Sequence, residues 1–161
     1  MMLITDPLSL HMDSYASVAV LRDLAGARGY DIPADDDECE RLLIQAMDYL
    51  AGLKWKGQRG SASQPNAWPR SGVEVDGFTL SPHTIPVQLI QAQCRLAIEA
   101  QNTDLQPATS GGAEVLQESV SGAVSITYAE GTSRDPPSFP WLSGLLRGMV
   151  AGFGQVSLVR G

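Results

Sequence analysis

The sequence predicts a mainly α fold: a small helical bundle with a long inter-helix loop, one β-hairpin and an extended C-terminal arm. Three observations carry this. Apolar residues recur at helical spacing in three stretches before residue 104. The period changes to two after Gly111-Gly112. A stretch rich in Gly, Ser, Pro and Gln, residues 55–85, separates the second and third helical segments. With 161 residues, 43% hydrophobic and 18% charged, the chain fits a single domain, 1–161, with a real core. Its parts are a helical core over 13–104, a hairpin over 113–129, and a C-terminal helix and arm over 138–161.

The first helix is expected from Val18 to about Ala27, with Ser17 as N-cap, Val18, Leu21 and Leu24 on one face, and Gly29 at C′. The second is the clearest. Asp35 to Asp37 put acids at its N-terminus, where the helix dipole favours them, and Cys39, Leu42, Leu43, Ala46, Met47, Leu50 and Leu53 form one apolar stripe. The third opens at Pro86 as N1 and carries two apolar strips. Val87, Ile90, Cys94, Ala97 and Ile98, with Gln101, lie on one face, and Leu89 and Leu96 form the other strip, so burial from two sides is expected. Val115–Val120 and Val124–Tyr128 then alternate as strands around a Ser121-Gly122 turn. A last helix is expected from Trp141 to about Val150, followed by an edge strand or arm containing Gln155 to Val159.

The opening residues show neither a basic region nor an apolar run of signal-peptide type, and no window reaches the roughly 20 apolar residues of a membrane span, so a soluble, cytoplasmic protein is expected. Cys39 and Cys94 sit on separate predicted helices and read as reduced core thiols. His11 and His83 are isolated from other metal-ligating residues. Asp35-Asp36-Asp37-Glu38 lacks the central Gly and closing Glu of a calcium loop and reads as helix capping. Ser71 has no evident base and reads as a turn serine. No nucleophile elbow, phosphate loop or zinc-helix motif is present, so no catalytic residue, metal or cofactor is expected and the chain is not expected to be an enzyme.

Charge is uneven. The net charge is −7, from 11 basic and 18 acidic residues, which argues against general DNA binding. Yet Tyr49 to Val73 holds Lys54, Lys56, Arg59 and Arg70 and no acid, so this segment carries +4 and the remainder −11. Those cations are interleaved with Trp55 and Trp68, the combination a single-strand platform uses for phosphate attraction and base stacking. The competing expectation is that the tryptophans pin the loop to the helical core while the cations are solvated or face acids.

The same residues carry a family resemblance. Leu43 to Leu50 on a helix is followed by Trp55-Lys56-Gly57-Gln58-Arg59, then Gln64, Trp68-Pro69-Arg70-Ser71-Gly72-Val73, Ile85-Pro86 and Gln91-Ala92-Gln93-Cys94. With Asp13-Ser14-Tyr15-Ala16-Ser17 ahead of the first helix, this resembles a phage and prophage family labelled DnaT-like single-stranded-DNA-binding proteins. That family is also similar in organisation to the head–tail connector adaptors of tailed phages. The connector resemblance implies a structural virion protein of the phage neck, assembled in the host cytoplasm as a homo-oligomeric ring of about twelve copies. Its partners would be the portal protein and a stopper or tail-completion protein, with double-stranded DNA passing through and no membrane. On that expectation Trp141, Leu145, Leu146, Val150, Phe153, Val156, Leu158 and Val159 are portal or inter-subunit contacts. The alternative expectation is a single-stranded-DNA-binding replication accessory, with Lys54, Lys56, Arg59 and Arg70 on phosphates and Trp55 or Trp68 on bases.

Overall fold

The structure, a computed structural model, describes residues 2–108 and 137–152. Four helices and six short strands lie among them: α1 (Val18–Arg28), α2 (Asp36–Ala51), β1 (Lys54–Trp55), β2 (Gln58–Arg59), β3 (Arg70–Ser71), β4 (Glu74–Val75), β5 (Phe78–Thr79), α3 (Val87–Glu99), α4 (Pro140–Leu145) and β6 (Val150–Gly152). The strands form three separate antiparallel pairs, β1–β6, β2–β3 and β4–β5. The fold is therefore mixed, helices with small strand pairs, and the mainly α expectation needs that correction. The hairpin expected over 113–129 and the arm from Phe153 onward lie outside the described residues. The chain divides into two compact units, Met1–Thr103 with Phe139–Gly161, and Asp104–Ser138. Of the second, the described residues include Gln106, whose backbone N–H bonds Asp104 Oδ1 at 3.0 Å.

α1 begins as its sequence dictates. Ser17 Oγ accepts the Val20 N–H at 3.2 Å, and Gly29 closes the helix at φ +73°, with the Gly29 and Tyr30 amides turned back on the Ala25 carbonyl. α2 and α3 pack on each other and form the centre of the core. Leu43, Ala46 and Leu50 of α2, and Leu89, Ala92, Leu96 and Ala97 of α3, are essentially inaccessible. Each buried leucine contributes about 1.5–3 kcal/mol relative to exposure. Both cysteines are free and buried in this core. α3 starts at Val87, with Pro86 as an extended cap residue rather than the first helical one.

The polar centre of this core is Gln93, which is fully buried. Its Oε1 accepts the backbone N–H groups of Tyr15 (3.0 Å) and Ala16 (2.8 Å). Its Nε2 donates to Ser14 Oγ (2.8 Å) and to the Leu43 carbonyl (3.0 Å). A single amide thus ties the segment before α1 to both long helices, and every hydrogen-bonding group of the side chain is satisfied.

α4 is shorter than expected. It ends at Leu145, and residues 146–149 turn through Gly148 at φ +87°. Gly144 and Gly148 weaken the helix there. The chain is then claimed by β1, with Trp55 opposite Val150 and Lys54 opposite Gly152. Leu142, Leu146, Met149 and Val150 are all buried within the chain. On the neighbouring surface the Arg95 guanidinium lies 4.2 Å from the centre of the Trp141 ring, which stands 5.4 Å from Phe139.

Candidate functional site

The segment between α2 and α3 is built around the basic residues rather than left as an open loop. β1 follows α2 after two residues and is fixed to β6, and Lys56 N–H bonds the Met149 carbonyl at 2.9 Å. Gly57 then permits a reversal at φ +72° that puts its α-carbon against β3. A Cβ there would lie 2.3 Å from the Ser71 carbonyl oxygen and 2.7 Å from Val73 Cγ2. Only glycine fits that approach. β2 and β3 pair Arg59 with Arg70 and Gln58 with Ser71.

Arg70 holds the site together. Its Nε donates to the Lys56 carbonyl (2.7 Å), Nη1 to Ala67 (3.0 Å) and Nη2 to Gly57 (3.0 Å). Three of its five donor hydrogens therefore serve the protein's own backbone. Arg59 Nη2 donates to the Gln64 carbonyl. Burial, then the neighbouring Arg59, holds the Arg70 guanidinium below its usual pKa. Among the described residues no carboxylate lies within ion-pair distance of Lys54, Lys56, Arg59 or Arg70. Two guanidiniums are thus side by side with no counter-charge from those residues.

The two tryptophans have different fates. Trp68 is fully buried, its ring meeting Trp55 edge-on with centroids 5.5 Å apart. It pins the loop to the core. Trp55 is half-buried, with Nε1 donating to the Leu50 carbonyl at 3.0 Å, and its ring lines a cleft. That cleft, about 350 Å³, is bounded by Tyr15, Met47, Trp55, Asn66, Arg59 and Arg70, among others. Tyr15 enters it from the segment held by Gln93, and its hydroxyl accepts the Trp68 backbone N–H at 3.3 Å. Burial pushes the Tyr15 phenol up to about 12, against the opposing pull of the Trp68 N–H, Arg70 and Arg59, so it stays protonated at neutral pH.

The basic residues expected from sequence converge, with Arg59, Arg70 and Trp55 on one cleft and Lys54 and Lys56 exposed on the strand and turn that lead into it. Sequence reasoning missed Tyr15 and Asn66. Tyr15 had a signal, since Ser14-Tyr15-Ala16 and Gln93 were both part of the resemblance and meet here through three hydrogen bonds. Asn66 had none; its Nδ2 donates to the Met12 carbonyl at 2.7 Å and fixes the cleft wall. His11 and His83 are exposed and apart from the cleft, Ser71 is a ladder residue of β3, and Asp36, at the start of α2, is bridged by Arg22 at 2.6 Å. Among the described residues no three His, Cys, Asp or Glu side chains form a metal-binding group, and no helix is long and apolar enough to cross a membrane.

A cleft that sets a ring face beside cations to which the described residues bring no counter-charge is chemically a receptor for an anionic ligand with flat apolar groups. The whole chain, residues 1–161, matches the family described as "Putative DnaT-like ssDNA binding protein", and it belongs to that family. No curated protein and no solved structure matches it. The family assignment overturns the head–tail connector as the function, because the matched family is one of DNA binding, and it lends no support to portal or stopper partners or to a ring of twelve copies. Leu146 and Val150 are interior residues and Trp141 and Leu145 half-buried ones, while Phe153, Val156, Leu158 and Val159 lie outside the described residues.

Proposed function

We propose that this chain binds single-stranded DNA in the cleft between the C-terminal end of α2 and the β2–β3 pair. The observation that carries it is the juxtaposition of Trp55 with Arg59 and Arg70 in a segment of +4 without acids, inside an acidic chain of a DNA-binding family. Trp55, which is half-buried, offers ring surface to an unstacked base, and the buried Tyr15 backs the cleft wall behind it. Arg59, Lys54 and Lys56 meet the phosphates, and Arg70 keeps two donor hydrogens for them while holding the loop in shape. Trp68 is a support rather than a stacking residue, because it has no exposed surface. The −11 carried by the rest of the chain confines the strand to this face and disfavours a duplex, whose bases are not free to enter a cleft. The reading assigns no catalytic step to the protein and places it with replication or repair intermediates in the cytoplasm.

The test is anisotropy of a labelled oligothymidylate of about 15 nucleotides titrated with protein across a salt series. Four phosphate contacts predict a slope of log K against log salt of about −3, and each cation removed makes it shallower by about 0.7. Trp55→Ala is expected to weaken binding about ten- to a hundredfold at fixed salt, through lost stacking. Absence of binding at low salt, or an affinity indifferent to Lys54→Ala, Lys56→Ala and Arg59→Ala, refutes the reading.

A further inference from the structure

The β4–β5 hairpin has a shape and a charge that the DNA reading leaves unused. β3 passes through Gly72, at φ +78°, into Val73, which is buried, and the hairpin rises from that anchor. The Leu80 N–H bonds the Val73 carbonyl at 2.8 Å and closes its base. Val75 pairs with Phe78 across a two-residue turn, Asp76-Gly77, in which both residues have positive φ, 55° and 85°. This is the tight reversal that Asp-Gly favours between two strands. Phe78 stands at the tip and is 74% exposed. Both charged residues of the hairpin, Glu74 and Asp76, are acidic and exposed.

An aromatic ring on an acidic finger is the complement of the cleft. The cleft has about 350 Å³ of space, ring and aliphatic walls from Tyr15, Met47 and Trp55, and two arginines with no carboxylate from the described residues in reach. We propose that the β4–β5 hairpin of one copy of this chain docks, Phe78 first, into the basic aromatic cleft of a second copy. Phe78 fills the space between Trp55 and Met47, and Asp76 and Glu74 supply the counter-charge that no carboxylate of the described residues gives Arg59 and Arg70. A DNA strand is the poorer partner for the finger, since two carboxylates beside the ring repel phosphate. The proposal rests on the cleft being the open site used in the DNA reading, so finger and strand compete for it.

Geometry fixes the kind of assembly. The finger, residues 74–79, shares no residue with the cleft lining, so the contact is heterologous and leaves a free finger at one end and a free cleft at the other. Association then continues past the dimer as concentration rises. One buried ring and a few screened ion pairs make each contact weak, with a dissociation constant roughly between 10 µM and 1 mM that rises with salt.

Sedimentation velocity of the full chain over a concentration series tests this. The expected result is a mass that grows beyond the dimer, and a loss of about ten- to a hundredfold in association for Phe78→Ser. Because Phe78 is exposed, that variant keeps the fold, which circular dichroism verifies. Arg59→Glu also blocks association, and adding Glu74→Arg to it restores the contact by exchanging the charges. An equimolar mixture of Phe78→Ser and Arg59→Glu retains one working finger and one working cleft and stops at a dimer. A chain that stays monomeric throughout, or a Phe78→Ser protein whose mass distribution is unchanged, overturns the proposal. So does a Phe78→Ser protein that loses oligonucleotide affinity, since the finger then serves DNA. Association without oligonucleotide binding sinks the DNA reading and leaves this one standing.

Discussion

Replacing Gln93 with leucine tests whether one buried amide joins the two halves of the core. The side chain is inaccessible and makes four hydrogen bonds of 2.8–3.0 Å. Leucine has nearly the same volume, so cavity formation adds little. The cost comes from what is left behind. The Tyr15 N–H loses its acceptor, while the Ala16 N–H keeps only a 3.3 Å contact to Ser14 Oγ. An orphaned buried donor costs about 1–3 kcal/mol, and each of the other lost bonds about 1 kcal/mol net. Leucine's better burial returns part of this, leaving a destabilisation of about 3–4 kcal/mol. In urea that is a fall of about 1.5–2 M in midpoint for a slope near 2 kcal/mol/M. Gln93→Glu sharpens the test. Its carboxylate still accepts the two N–H groups but, when ionised, cannot donate to the Leu43 carbonyl. Burial raises its folded pKa, so the variant comes closest to wild type at acid pH and falls away as pH rises through that pKa. A Gln93→Leu midpoint within about 0.5 M of wild type refutes the account.

Other outcomes follow from single observations. Gly57→Ala forces a Cβ to within 2.3 Å of the Ser71 carbonyl at a positive φ, so it is expected to cost at least 2 kcal/mol and to abolish oligonucleotide binding, both measurable on one preparation. Gly26→Ala is the opposite case: the site is helical, exposed and open, so thermal melting is expected to show a gain of about 0.5–1 kcal/mol. Burial pushes Cys94 and Tyr15 each up to about 12, from ordinary values of 9.0 and 10.0. The folded state therefore holds protons that the unfolded chain has lost, and stability falls as pH rises between 9 and 12. Each group contributes up to about 1.4 kcal/mol per pH unit once its unfolded form has ionised, read by denaturation at stepped pH. A thiol-reactive dye at pH 8 is expected to leave both cysteines unlabelled until denaturant is added.

The helices were legible because their signals are local. Ser17 and Gly29 mark the ends of α1, and the stripe from Cys39 to Leu50 gives α2 its buried face. The strand pairs were not legible, because each strand has two or three residues, too few for alternation to register. Their partners are also distant: Trp55 meets Val150 across most of the chain. Basic and aromatic composition pointed to the correct segment for the cleft, but it could not rank Trp55 against Trp68. That ranking depends on Tyr15, whose hydroxyl takes the Trp68 N–H and whose own backbone is held by Gln93. Arg70 was legible as a cation and not as the loop's clasp, since three carbonyls converge on it only after Gly57 has turned the chain.

The pairing of β1 with β6 sets an order of events on the ribosome. By the time α3 has emerged, Gln93 can already join Ser14, Tyr15 and Leu43, but Lys54 and Trp55 still lack their strand partner. At ordinary elongation rates the stretch from Glu99 to Gly152 takes roughly 3–10 s to follow. During that interval the core still lacks Leu142, Leu146 and Met149, and the basic β1 edge is unmatched beside the RNA of its own ribosome. β1 and Lys56 gain their partners last, when Val150 pairs with Trp55 and the Met149 carbonyl takes the Lys56 N–H.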